Sequence, residues 1–412
     1  MKKIFFIGIC GISMSALAVL LKEQGYEVLG CDKNYKKVPK ILEKNNIKVF
    51  PERKTKEIVG SDFVVVSSAI KEDNKALICA KKHNKICKSR GEILGEIAKG
   101  YEKVIAVAGS HGKTTTTAMI YNILSVAGLN PTLHLGGNLC KEKTNCISGG
   151  KEFFVTEACE YYDNFLHLHP FIGVVTKIEE EHLDYFKTFE NEKKSFEKFM
   201  SQSENVVHVL SSEAKNIKAT KKGGVKFDIY KDNQFIMNVN LKIGGFYNAK
   251  NALYAYECCE KLDISKCKIK LGLESFCGTE KRLEKKKYFE KNIIVDYAHH
   301  PTEIENVYEF LKKTNKKINL IFQPHTFSRT KEFERDFIKI LSKFDKLFLF
   351  KTYAAREKPK DGLSAFELSK KIEKSSYFED VEQVKQLIQS QKDDEITVIM
   401  GAGDLPEKLG LY

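Results

Sequence analysis

Short, uninterrupted apolar runs separated by polar or glycine-bearing turns and by stretches of helical spacing set the pattern of this chain. Ile4-Phe5-Phe6-Ile7-Gly8-Ile9 is the first such run; Val104–Ala108 and Ile293–Val295 repeat it, and Phe153–Glu157, Phe171–Thr176, Ile318–Phe322 and Ile396–Met400 repeat it with one or two polar residues each. A run apolar at every position, rather than at alternate ones, belongs to a strand buried on both faces. Alternation of such runs with helical patterns predicts parallel sheets flanked by helices, an α/β chain. Its 412 residues exceed what one core serves and predict two to three domains of roughly 100–200 residues each.

Three sections follow from this pattern. The first runs from Ile4 through a turn at Cys10-Gly11-Ile12-Ser13, a helix to about Gln24, and a second strand ending Gly30-Cys31-Asp32. That is half of a dinucleotide-binding unit, with an acidic residue where a ribose or base is met. Its glycine pattern is degenerate: Gly8 and Gly11 are present, and Ser13 takes a later small position.

The second section opens at Ala106-Val107-Ala108-Gly109-Ser110-His111-Gly112-Lys113-Thr114-Thr115-Thr116-Thr117. Such a turn aims backbone N–H groups and a helix N-terminus at phosphate, with Lys113 as a mobile positive charge and Thr114 as a hydroxyl for magnesium. The common pattern wants glycine where Val107 stands, so the loop is a shortened one. Threonines open a helix poorly on propensity alone, and a phosphate ligand supplies the reason for them. ATP is therefore the expected ligand. Glu157 and the cluster Glu179-Glu180-Glu181-His182-Leu183-Asp184 end or follow strands, where ligands of open α/β sheets gather. An acidic run also suits a solvated helix start, but the strand-end placement of both clusters favours Mg²⁺.

The third section starts near Lys281-Arg282 and contains Asp296-Tyr297-Ala298-His299-His300-Pro301 and Gln323-Pro324-His325-Thr326-Phe327-Ser328-Arg329 after two apolar strands. His299-His300 lacks the spacing of a structural zinc site, which favours substrate contact over metal.

Composition narrows the partners. An apolar fraction of 42% fits a folded globular chain, and no segment approaches the roughly 20 apolar residues of a membrane span. The net charge of +13 comes from dispersed lysines without an arginine-rich block, which argues against nucleic acid and for small polyanionic substrates. Eleven scattered cysteines lack metal-ligand spacing, and the adjacent Cys258-Cys259 pair does not favour a disulfide. Reduced thiols and a cytoplasmic location are expected.

Taken together, Gly8-Ile-Cys-Gly-Ile-Ser-Met-Ser15, Gly109-Ser-His-Gly-Lys-Thr-Thr115, Glu157-Ala-Cys-Glu-Tyr161 with Phe165-Leu-His-Leu168, Glu181-His-Leu-Asp184, Asn248-Ala-Lys-Asn251, Asp296-Tyr-Ala-His-His-Pro301 and Phe322-Gln-Pro-His325 through Arg329-Thr330 resemble the Mur ligases of bacterial cell-wall synthesis. The resemblance covers almost the whole chain. It implies three domains: a Rossmann-like UDP-sugar-binding domain (1–98), a central P-loop ATPase with a mainly parallel sheet (99–279) and a Rossmann-like amino-acid-binding domain (280–412). It further implies ATP- and Mg²⁺-dependent joining of L-alanine to the lactyl carboxylate of UDP-N-acetylmuramate through an acyl phosphate, by a monomer or weak homodimer.

By the same resemblance, Lys113, Glu157, His182 and His299 are catalytic, and Thr114, Glu157 and His182 hold magnesium. Gly109 through Thr115, Asn248 and Arg282 bind ATP, with Asn248 at the adenine. Gly8, Gly11, Ser13, Asp32 and Ser67 line the UDP-sugar pocket; Tyr297, His299, His325 and Arg329 surround the carboxylate and the amino acid. The chain departs from the family pattern at Cys10 and Ser13, where glycine is usual, at Tyr247, where histidine is usual, and in a shortened segment between Phe186 and Gly244. Some relatives carry a carbamylated lysine between the magnesium ions; none is assigned here, Lys193 and Lys194 reading as surface charges. Three rivals stand beside this reading: a sister ligase that attaches a recycled peptide to the same sugar nucleotide, a non-catalytic sugar-nucleotide-binding protein, and a nicotinamide-dependent oxidoreductase. The last leaves Lys113, Glu157 and His182 without a role.

Overall fold

The computed structural model describes residues 2–53, 56–355, 357–359 and 362–412, without the side chain of Asp184. Its first sheet is built from β1 (Lys3–Ile7), β2 (Glu27–Cys31), β3 (Lys48–Phe50), β4 (Phe63–Val66) and β5 (Ile86–Ser89) in the order β3-β2-β1-β4-β5, all parallel. The continuous apolar run of β1 has its reason in this packing: Ile4 and Phe6 enter one core cluster, Phe5 and Ile7 another. The strand stops at Ile7, short of the expected Ile9, because Gly8 turns with φ +82° and the N–H groups of Gly8 and Ile9 both bond to the Cys31 carbonyl. The Ile12–Glu23 helix then buries Met14 through Leu21.

The second sheet contains β6 (Lys103–Ala108), β7 (Thr132–His134), β8 (Cys146–Ile147), β9 (Phe153–Glu157), β10 (Ile172–Val175) and β11 (Asn205–Val207), ordered β11-β10-β6-β9-β7-β8. Its strands are parallel except for the antiparallel edge pair β7 and β8. A three-stranded sheet of β12 (Ser212–Ala219), β13 (Val225–Lys231) and β14 (Gln234–Leu241) follows.

The last sheet contains β15 (Glu284–Tyr288), β16 (Lys291–Asp296), β17 (Lys317–Phe322), β18 (Lys346–Phe350), β19 (Ser375–Phe378) and β20 (Glu395–Met400), ordered β15-β16-β20-β17-β18-β19. Only β15 runs antiparallel, against β16. The apolar runs of the sequence are thus β1, β6, β9, β10, β16, β17 and β20, which lie at or next to the sheet centres. The chain packs as two compact units: residues 1–216, 227–240 and 250–279 in one, and 217–226, 241–249 and 280–412 in the other. All eleven cysteines are free thiols, Cys258 and Cys259 among the buried ones. No helix among the described residues is long and apolar enough to cross a membrane.

Candidate active site

The carboxyl end of β6 leads into Gly109-Ser110-His111-Gly112 and then the Lys113–Ala127 helix. Gly109 at φ +126° and Gly112 at φ +83° hold a backbone conformation that side-chain-bearing residues rarely adopt; added Cβ atoms would fall 2.1 Å from Thr176 Oγ1 and 2.4 Å from Asn251 Oδ1. No side chain caps the helix at Gly112, so its first N–H groups and the positive end of its dipole suit a phosphate. Thr115, Thr116 and Thr117 are buried, which anchors the helix start in the core beneath the loop. The loop is braced from β10 by Ser110 N donating to Lys177 O at 2.8 Å and Glu179 N to Ser110 Oγ at 2.8 Å. His111 pairs with Glu179 across 2.8 Å.

Lys113 Nζ lies 3.0 Å from Glu160 Oε1 and also donates to Gly109 O. Glu160 is 2% exposed, and its second oxygen, Oε2, is buried with no hydrogen-bond partner among the described residues. Burial alone would neutralise both groups, but each holds the other charged: Glu160 is lowered to about 2 by Lys113 and His182, and Lys113 is raised by Glu160. His182 Nε2 is 3.5 Å from Glu160 Oε1. Ligand atoms of Glu160, Glu181 and His182 all lie within 4.8 Å of one another. Behind them stands Glu192, which receives the Glu181 amide at 3.1 Å and is raised to about 7, first by burial. Three carboxylates and an imidazole around one lysine make an electron-rich, partly buried set, and the unpartnered Glu160 oxygen fits a hard divalent cation.

Of the residues expected to hold metal, His182 therefore stands in this set with Glu160 and Glu181. Glu157 takes a different position, its Oε1 accepting from Gly136 N at 2.6 Å. Thr114, in the first turn of the Lys113–Ala127 helix, packs against the same Gly136-Gly137 turn: its Cγ2 would be 3.4 Å from a Cβ on Gly137. Glu181 stands in the acidic cluster that the sequence reading favours for Mg²⁺, although not named there as an individual ligand; Glu160 stands only in a quoted motif. The signal available was their position one turn or one residue from Glu157 and His182. Lys193 and Lys194 are exposed.

At the carboxyl ends of β1 and β2, Gly8 faces Ser67, whose Cβ would be 3.0 Å from one on Gly8. Gly11 N donates to Gly8 O at 3.3 Å, closing the turn before the Ile12–Glu23 helix. Asp32 is nearly buried and accepts from Cys10 N at 3.0 Å and Asn34 N at 2.8 Å, so its carboxylate shapes the glycine turn itself. Ser13 Oγ meets His134 Nε2 at 2.9 Å.

In the second unit, Tyr297, His299 and His325 come together: the His299 ring is 5.2 Å from Tyr297 and 5.7 Å from His325. Burial first, and then the Arg329 charge, lower His325 to about 4; burial also lowers His299 to about 4, so both imidazoles are neutral. His299 Nδ1 faces Tyr297 O at 3.0 Å and Glu303 Oε2 at 3.4 Å, two acceptors, which places the ring proton on Nδ1 and the lone pair on Nε2. Arg282 stacks over Tyr297 at 5.1 Å. Asn248 belongs to this unit too and donates to Gly244 O at 2.6 Å.

Comparison with known proteins places the chain in a family. Three family descriptions match in order: Mur ligase family, catalytic domain over residues 3–102; Mur ligase middle domain over 107–222; and Mur ligase, glutamate ligase domain over 281–403. UDP-N-acetylmuramate–L-alanine ligases of Clostridium acetobutylicum and Caldicellulosiruptor saccharolyticus are 38% and 40% identical, each over 98% of this chain and 96% or 97% of the relative. The solved UDP-N-acetylmuramate-alanine ligase of Thermotoga maritima superposes with a TM-score of 0.87 at 25% identity, over 100% of this chain and 98% of that one. A murein peptide ligase of Psychrobacter arcticus shares the fold with a TM-score of 0.73 at 22% identity, over 100% and 98%. With the three family descriptions matched in order and these relatives along nearly its full length, the chain belongs to the Mur ligase family.

Proposed function

We propose that this protein is an ATP-dependent ligase that joins L-alanine to the lactyl carboxylate of UDP-N-acetylmuramate, releasing ADP and phosphate, in peptidoglycan synthesis. The observation that carries the reading is the partly buried Lys113–Glu160–His182 set beside an uncapped phosphate loop, in a chain with full-length relatives bearing that name. A carboxylate acylates poorly, so the γ-phosphate is first transferred to it, and the amine of alanine then displaces phosphate from the acyl phosphate. Charge neutralisation is the main catalytic demand.

Lys113 supplies positive charge to the migrating phosphoryl group, and the amides at Gly112 and the helix start hold the remaining phosphates. Thr114 and Glu157 are assigned to one Mg²⁺; His182 is assigned to a second, with Glu160 and Glu181 beside it. Mg²⁺ held by these residues would supply charge neutralisation of the phosphate oxygens as the carboxylate approaches. Gly8, Gly11, Ser13, Asp32 and Ser67 are assigned to the UDP-sugar, and Asn248 and Arg282 to ATP. His299, with its lone pair on Nε2, is suited to accept a hydrogen bond from the alanine amine and orient it. Tyr297, His325 and Arg329 are assigned to the reacting carboxylate and the amino acid.

The domain boundaries 98/99 and 279/280, a cytoplasmic location and a monomer or weak homodimer complete the reading. ADP formation with UDP-N-acetylmuramate and either L-alanine or a murein tripeptide as amine donor tests it: turnover with L-alanine alone is expected, and equal turnover with the tripeptide contradicts it.

A further inference from the structure

His134, the last residue of β7, is 1% exposed and is hydrogen-bonded at both ring nitrogens. Nε2 meets Ser13 Oγ at 2.9 Å and Nδ1 meets Thr156 Oγ1 at 2.8 Å. The partners fix where the protons are. Thr156 Oγ1 donates to the Glu157 carbonyl at 3.0 Å, so toward the imidazole it accepts and the ring proton sits on Nδ1. Nε2 then carries the lone pair and accepts a hydrogen bond from the Ser13 hydroxyl, while Ser13 Oγ accepts from Arg90 Nη1 at 3.3 Å.

The result is a chain of donors running one way, from Arg90 through Ser13, His134 and Thr156 to the backbone of Glu157. Burial, with the Arg90 charge adding to it, pushes His134 down to about 3, so the neutral tautomer persists through the working pH range. A second bond joins the same two regions: Asn145 Nδ2 donates to Ile12 O at 2.6 Å. An apolar side chain would fill the His134 site without the cost of burying a ring with two polar atoms, so simple space-filling leaves the histidine unexplained.

We infer that His134 is a positioning residue for ligation, setting the Ser13 turn of the UDP-sugar site against the strand end that presents Glu157 to the phosphate site. The inference rests on the ligase reading for what the two ends bind. It goes beyond that reading in assigning the alignment of the two sites to one buried side chain.

Calorimetric binding of UDP-N-acetylmuramate and steady-state ligation with L-alanine, measured on the intact protein and on His134→Leu and His134→Gln, test it. Losing a buried hydrogen bond on each side is expected to weaken sugar-nucleotide binding and to lower kcat, each by about tenfold, in His134→Leu, with the KM for L-alanine unchanged. His134→Gln, which retains a donor and an acceptor, recovers most of both. A folded His134→Leu protein with unchanged affinity and kcat overturns the inference, as does a His134→Gln protein as impaired as His134→Leu. If His134→Leu fails to fold, Thr156→Val cuts the chain one bond further on, and unchanged kcat there overturns it equally. An unmodified protein that binds the sugar nucleotide but makes no product with L-alanine removes the ligase reading, and the binding comparison still decides for or against His134.

Discussion

Lys113 and Glu160 form a 3.0 Å ion pair in which the glutamate is 2% exposed, so the phosphate-loop cation is held by a buried carboxylate from the turn after β9. The pair keeps Lys113 charged and aimed at the loop, where an incoming phosphoryl group competes for it. Removing the cation has two separable consequences. Lys113→Ala is expected to abolish measurable ligation, a loss of at least about 10²–10³-fold, with UDP-sugar binding intact. It also strands a buried anion, at about 3–5 kcal/mol of stability. Adding Glu160→Gln is expected to restore much of the urea midpoint and none of the phosphate release.

Gly112 tests the loop rather than its charge. Its φ of +83° and the 2.4 Å approach of Asn251 Oδ1 to an added Cβ leave Gly112→Ala strained and in collision. A cost of about 1–3 kcal/mol in stability is expected, together with weaker ATP binding because the helix start shifts away from the phosphates. Equilibrium unfolding and nucleotide titration read the two effects, and wild-type values in both contradict the assigned loop geometry.

The histidines set a pH dependence with a definite sign. In the folded chain His134 is lowered to about 3 by burial and by Arg90, whereas in the unfolded chain it titrates near its ordinary value of 6.5. The unfolded state therefore binds more protons between those values. The stability contributed by the neutral imidazole is fully present above pH 6.5 and is lost as pH falls toward 3. Wild-type unfolding free energy measured from pH 7 to 5 is expected to fall more steeply than that of His134→Leu, by up to about 1.4 kcal/mol per pH unit. Parallel slopes contradict a buried neutral His134.

Much of the frame is legible in the residues because its strands are buried on both faces. The run Ile4–Ile7 needs apolar side chains at every position, since alternate residues enter different cores. By contrast β14, whose buried positions alternate from Met237 through Val239 to Leu241 with exposed asparagines between them, has no such run, and its sheet was not anticipated. Within the site, the loop from Gly109 to Thr115 can be read because its chemistry is carried by backbone and local order. Which carboxylate faces His182 cannot be read in the same way. Glu157 ends the strand and bonds to Gly136, while Glu160, three residues on, turns inward to Lys113; only the path of the turn separates them. His134 gave no signal in its own segment, because its partners Ser13 and Thr156 lie far away along the chain and meet it only through the packing of β7 and β9.

Release of phosphate from ATP and Mg²⁺, followed with UDP-N-acetylmuramate and L-alanine present together and with each omitted in turn, tests the central claim most directly. Release that requires both substrates, accompanied by equal ADP and UDP-N-acetylmuramoyl-alanine, is the result the account predicts. Release that is indifferent to L-alanine, or none under any combination while the sugar nucleotide still binds, would contradict it.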